Sequence, residues 1–187
     1  MRILLLILTL LATPLVAQDR AGNDTAGEWR IDHHKAFGLW DSMCDWRETD
    51  GIREKRCYLR YVDVFSPRPN FAAVFTFVTP EPDGYRVELG IEPNTAYKKG
   101  GLRIDAGDTT TWQQQDINCT RFTECVWTGP AAQTLISALK APTGEPTYLI
   151  QDFFDRYGQE QFLKWDLAPF ADALADFDAQ VAERGLR

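Results

Sequence analysis

Four cysteines, two adjacent histidines and 27 carboxylates are the side chains of this 187-residue chain with chemistry to offer. Cys44, Cys57, Cys119 and Cys125 could bind zinc, attack as thiolates or close disulfides. Twelve residues separate the first two and five the second two, whereas zinc clamps leave about two to four. The C-x-x-C of a thiol oxidoreductase is missing. A serine nucleophile needs a base, normally histidine. The only histidines, His33 and His34, fall in a polar stretch and read as a solvated pair. There is no G-x-S-x-G, phosphate loop or H-E-x-x-H. Paired acids could hydrolyse a glycoside, but the acids here fall on polar strand faces and turns, where solvation explains them. Six tryptophans could stack on sugars. Trp40, Trp46, Trp127 and Trp165 lie inside expected strands and read as core or half-core, leaving Trp29 as the one expected in solvent.

Short strands must position these residues. From Phe37 the alternation puts Trp40, Cys44 and Trp46 on one face. Asp50-Gly51 turns the chain into a long strand, Lys55 to Phe65. In such a hairpin Cys44 faces Cys57, which favours their pairing. Phe71–Thr79 is apolar on both faces and reads as buried on both sides. Tyr85–Ile91, Leu102–Asp105 and Thr109–Gln115 follow as strands, and Cys119–Cys125 looks like a clamped hairpin tip. Leu135, Ile136 and Leu139 make a helical stripe after Pro130. Two more strands, Thr147–Phe154 and Gln161–Leu167, precede a second helix that opens at Pro169. Eight or nine strands with two small helices predict an all-β sandwich or barrel with minor α content.

The N-terminus sets the compartment. Arg2 precedes an apolar run from Ile3 to Ala17, 15 residues long, against the roughly 20 that a spanning helix needs. Basic start, apolar middle and small residue match a secretory signal at residues 1–17, cut between Ala17 and Gln18. Residues 18–35 read as a mobile leader and 36–187 as one domain. The expected location is the periplasm or the cell exterior, with no stable membrane insertion after cleavage. Export favours disulfides. Four cysteines allow three pairings, and the local one is expected: Cys44 with Cys57, Cys119 with Cys125. Each small loop would contribute about 2–3 kcal/mol. A net charge of −7 argues against nucleic acid.

Several motifs resemble one family. Phe37-Gly38-Leu39-Trp40-Asp41-Ser42-Met43-Cys44 is similar to the F-G-x-W-x-x-x-C opening of the invasion-associated locus B proteins, as is Lys55-Arg56-Cys57-Tyr58-Leu59 to their second cysteine. Gly100-Gly101-Leu102-Arg103-Ile104-Asp105 resembles their central strand. Cys119 and Cys125 resemble their second cysteine pair, and Trp165–Leu174 their closing strand and turn, with Pro169 where glycine is usual. The similarity spans about residues 36–175. It implies an exported α-proteobacterial protein, an immunoglobulin-like β-sandwich and two disulfides. It carries no catalytic residue.

The expectation is therefore a non-catalytic envelope or secreted interaction protein, without cofactor or metal, contacting an envelope or host protein. The alternative is a carbohydrate-binding or carbohydrate-active domain. Arg47, Arg53, Lys55, Arg56 and Arg60 read as a locally basic hairpin, with Arg53, Lys55 and Arg56 as the candidate partner contacts.

Overall fold

A computed structural model describes residues 29–66, 72–115, 124–140 and 145–187. The signal, most of the leader and Cys119 lie outside the described residues. About 60% of the described residues are in strands, arranged in two antiparallel sheets with two helices. The strands are β1 (Arg30–Phe37), β2 (Trp40–Thr49), β3 (Ile52–Ser66), β4 (Ala72–Glu81), β5 (Gly84–Ile91), β6 (Ala96–Ala106), β7 (Thr109–Gln113), β8 (Glu124–Trp127), β9 (Thr147–Phe154) and β10 (Glu160–Asp166). The helices are α1 (Gly129–Leu139) and α2 (Phe170–Glu183). One sheet runs β1-β2-β3-β4-β5-β8, the other β10-β9-β6-β7.

The β2–β3 hairpin follows from its turn. Asp50 and Gly51 have φ of 54° and 76°, the left-handed pair of a type I′ turn whose twist suits a two-residue hairpin. Register then runs unbroken from Thr49↔Ile52 to Trp40↔Tyr61 and sets Cys44 opposite Cys57. These two form a disulfide with Cα atoms 4.1 Å apart. One disulfide is thus seen among the described residues rather than the expected two. Cys125 is buried and is not a free thiol, and the expected pair with Cys119 lies outside the described residues.

Two expectations are corrected. The leader was to run to residue 35, but β1 begins at Arg30 and pairs with β2. An edge strand has one neighbour and little to bury, so Arg30–Lys35 can be polar apart from Ile31, which is itself exposed. β4 was to be buried on both sides. Only the face with Val74, Thr76 and Val78 is, while Phe75 and Phe77 are half-buried. A Cβ on Gly90 would lie 1.9 Å from the Phe75 ring. The missing side chain on β5 therefore lets that ring lie flat across the outer face.

The core fills the space between the sheets. Trp40 meets Tyr61, Phe170 and Trp165 edge-on at 5.3, 4.8 and 6.4 Å, and Tyr61 stacks on Trp165 at 3.7 Å. Phe65 and Phe153 meet across the sheets at 5.1 Å. Both helices bury the stripes that their spacing predicts. In α1 these are Leu135, Ile136 and Leu139, packed toward β5 and β7; in α2 they are Phe170, Leu174, Phe177 and Val181, packed on β1–β3.

Candidate functional site

Strand lengths create a projecting arm. β1 pairs with β2 only as far as Arg30↔Trp46, and β4 pairs with β3 only from Leu59↔Val78 onward. The β2–β3 ribbon from residue 47 to 58 therefore stands out from the sheet. The Cys44–Cys57 disulfide staples its base, and Ile52 at its tip is 67% exposed.

Alternation divides the arm's side chains between two faces. On one, the guanidinium groups of Arg53 and Arg30 lie 4.1 and 5.0 Å from the Trp46 ring centre. On the other, those of Arg56 and Arg47 lie 3.7 and 4.7 Å from a Trp29 ring. Each is a doubled cation–π contact, in which the ring's negative face attracts the cations. Trp29, expected in solvent, is half-buried this way.

The candidate contacts Arg53, Lys55 and Arg56 do not form one patch. Arg53 and Lys55 share the Trp46 face, and Arg56 points to the opposite one. Arg56 grips Asp45 through two hydrogen bonds of 2.7 and 3.0 Å. Asp45 is only 4% exposed, so Arg56 neutralises a buried carboxylate. That hydrogen bond raises the Arg56 pKa above its ordinary value. Burial, then the Asp45 charge, pushes the Tyr58 hydroxyl up as well. Arg47 pairs with Glu54 at 2.6 Å and Arg60 with Asp41 at 3.1 Å. The expected basic hairpin is therefore largely neutralised by its own acids. Arg53 and Lys55 are exposed and form no ion pair among the described residues.

Where β4 leaves β3, the sheet opens into a concavity of about 550 Å³. Lys55, Arg56 and Tyr58 form one wall, Phe77 and Thr79 the other, and Leu186 from the tail after α2 also lines it. Tyr58 and Phe77 meet edge-on at 5.8 Å. The concavity thus combines three cations, Lys55, Arg56 and Arg60, and one acid, Glu88, which pairs with Arg86, with an aromatic floor next to the edge of the arm.

The histidines are not the solvated pair expected. His33 Nε2 lies 2.8 Å from Asp176 Oδ2 on α2, with Lys35 Nζ 3.4 Å from the other oxygen. Burial pushes the Asp176 carboxyl up, but hydrogen bonds led by that of His33 outweigh it and hold the group below its ordinary value. His34 pairs with Asp41 at 2.8 Å. Ser42 is buried beside the Asp176 carboxylate, and its hydroxyl also helps to hold that group low. Among the described residues no three His, Cys, Asp or Glu side chains converge to hold a metal ion.

Trp40 and Trp165 are buried as expected. Trp46, Trp112 and Trp127 are half-buried, and the last two line a second open concavity of about 410 Å³ with Gln113, Gln114 and Gln115. Sequence reasoning missed β1, the two doubled cation–π contacts and the concavity beside the arm. The available signal was an arginine near each tryptophan: Arg30 beside Trp29, and Arg47 beside Trp46.

No helix among the described residues is long and apolar enough to cross a membrane. No protein-family model, curated protein or solved structure matches the chain.

Proposed function

We propose that this chain is an exported, non-catalytic interaction protein of the periplasm or cell exterior, cut after Ala17, that contacts an envelope or host protein. The invasion-associated locus B motifs quoted above support this reading, in which the two sheets form that family's immunoglobulin-like sandwich and Cys119 pairs with Cys125. The observation that carries it is the stapled arm. It is held by a disulfide at its base and by Trp–Arg contacts, yet beyond Cys57 it adds nothing to the buried core. A projection with two exposed cations that form no ion pair among the described residues, beside a concavity with an aromatic floor, is a contact surface in search of a partner.

The carbohydrate reading has less support, because Trp40 and Trp165 are buried and Trp29 and Trp46 carry arginines, which leaves Trp112 and Trp127 beside Gln113–Gln115 as the described rings that a sugar could reach. Photo-cross-linking in cells tests the proposal. A photoreactive residue at Arg53 should yield a discrete adduct, and one at Thr110 on the far sheet should not. Equal adducts from both positions, or none from either, would count against the arm. Mass spectrometry of the exported chain should find Gln18 at its N-terminus.

A further inference from the structure

The arm has a free backbone edge. The 4.1 Å Cα separation of Cys44 and Cys57 marks a non-hydrogen-bonded pair. The hairpin agrees: its closing pair, Thr49↔Ile52, is hydrogen-bonded in a two-residue type I′ turn, and pairs alternate from there. Arg53, Lys55 and Cys57 all lie at non-hydrogen-bonded positions opposite β2. Their N–H and C=O groups therefore point away from β2. On that side β4 begins pairing only at Leu59, so no described strand meets them. Alternate residues present these groups about 6.7 Å apart, the repeat of an incoming strand. The concavity lies along this edge.

Resting on the interaction reading above, we infer that the edge of β3 at Arg53–Cys57 receives an extended partner segment with alternating acidic and apolar residues. The backbone supplies the pairing and the two faces supply the choice of side chain. An added strand sets alternate side chains beside Arg53 and Lys55, which have no ion pair among the described residues. Carboxylates suit that face. The remaining side chains fall beside Glu54 and Arg56, already paired with Arg47 and Asp45, and at the Cys57 end over Tyr58 and Phe77, where apolar groups suit the aromatic floor. A second copy of the chain is the poorer occupant, because antiparallel pairing of β3 with itself sets Lys55 against its own copy or, one residue over, Arg53 against Lys55. The cations that deter self-pairing at this edge are the ones that favour an acidic strand.

The probe is a fluorescein-labelled, C-amidated octapeptide of alternating Glu and Val, read by anisotropy against the exported chain. It should bind, and hydrogen exchange at Arg53, Lys55 and Cys57 should slow in the complex. A Lys–Val octapeptide should not bind. Methylating alternate backbone nitrogens of the Glu–Val peptide should weaken it about tenfold or more by removing its inward donors. Lys55→Pro removes one edge donor without touching the β2 ladder and should weaken binding by a similar factor. Lys55→Thr keeps the donor and should cost only about two- to fivefold, less at high salt. Equal binding of the methylated peptide, or unchanged exchange at the three amides, overturns the inference even if Lys55→Pro fails to fold. So does protection of those amides in the free chain, which would mean that residues 18–28 or a second copy already hold the edge. A cross-link from Arg53 to a natural partner without binding of the Glu–Val peptide would overturn strand addition and leave the interaction reading standing.

Discussion

Trp40 and Trp46 lie six residues apart on the same face of β2, yet they sit in opposite surroundings. Trp40 is wholly buried among Tyr61, Phe170 and Trp165. There burial, then the charges of Asp63 and Asp166, pushes the Tyr61 hydroxyl up to about 12. Trp46 is half-buried beside two guanidinium groups. The second sheet and α2 cover one ring and stop short of the other. A core ring removed costs about 3–5 kcal/mol, whereas an exposed cation–π contact contributes about 0.5–1 kcal/mol. The core thus carries the stability of the fold, and the arm, held by weaker contacts, is free to serve another purpose.

The sharpest way to break this comparison is to truncate both regions. Trp165→Ala should lose about 3–5 kcal/mol in urea unfolding, because it removes the Tyr61 stack and leaves Asp63 without its indole donor. Trp46→Ala should lose well under half of that. Equal losses would make the arm part of the core.

The disulfide joins the two regions. Cys44→Ser with Cys57→Ser should cost about 2–3 kcal/mol by the chain-entropy account. Hydrogen exchange should quicken first in residues 45–56, with the Trp40 cluster following only on global unfolding.

Arg56→Ala tests whether the arm holds a buried charge. It leaves the Asp45 carboxylate with only the Tyr58 hydroxyl and should cost about 1–2 kcal/mol in the same unfolding assay. A loss near zero would show that water replaces the guanidinium.

Acid probes the contact between β1 and α2. The Asp176 carboxyl is held below its ordinary value of 3.8 in the folded chain, so the unfolded chain binds that proton more readily. The stability this contributes is complete above pH 3.8 and is lost as pH falls through the lower folded value. Acid titration followed by circular dichroism should show the parent losing more stability than Asp176→Asn over that range. Parallel curves would remove Asp176 from the account.

The smallest effect belongs to Arg53 and Lys55, which form no ion pair among the described residues. Arg53→Ser and Lys55→Ser should each change stability by less than about 0.5 kcal/mol while weakening capture of an acidic partner. Arg56 does not belong in that test, since its loss perturbs Asp45.

Much of this was legible in the residues. Asp50-Gly51 and the cysteine spacing specify a hairpin and its register, because a two-residue turn with two positive φ angles fixes which residues face each other. The helical stripes of α1 and α2 were equally readable, as was the burial of Trp40 and Trp165. β1 was not, because a strand paired on one side needs no apolar pattern. Arg53, Lys55 and Arg56 read as one cluster through sequence adjacency, but the pleat sends Arg56 to the other face.

The sequence by itself thus determined the local structure: the turn, the stapled ladder and the apolar faces that had to be covered. Tertiary structure decided which stretch of each strand found a cover. Asp45 and Arg56 pair because β2 and β3 are in register, and α2 brings Asp176 to His33 across 143 residues. β4 abandons β3 at Leu59 and leaves the edge at Arg53–Cys57 open. No local pattern encodes where a neighbouring strand stops, since that depends on how long strands from distant parts of the chain fit around one shared core.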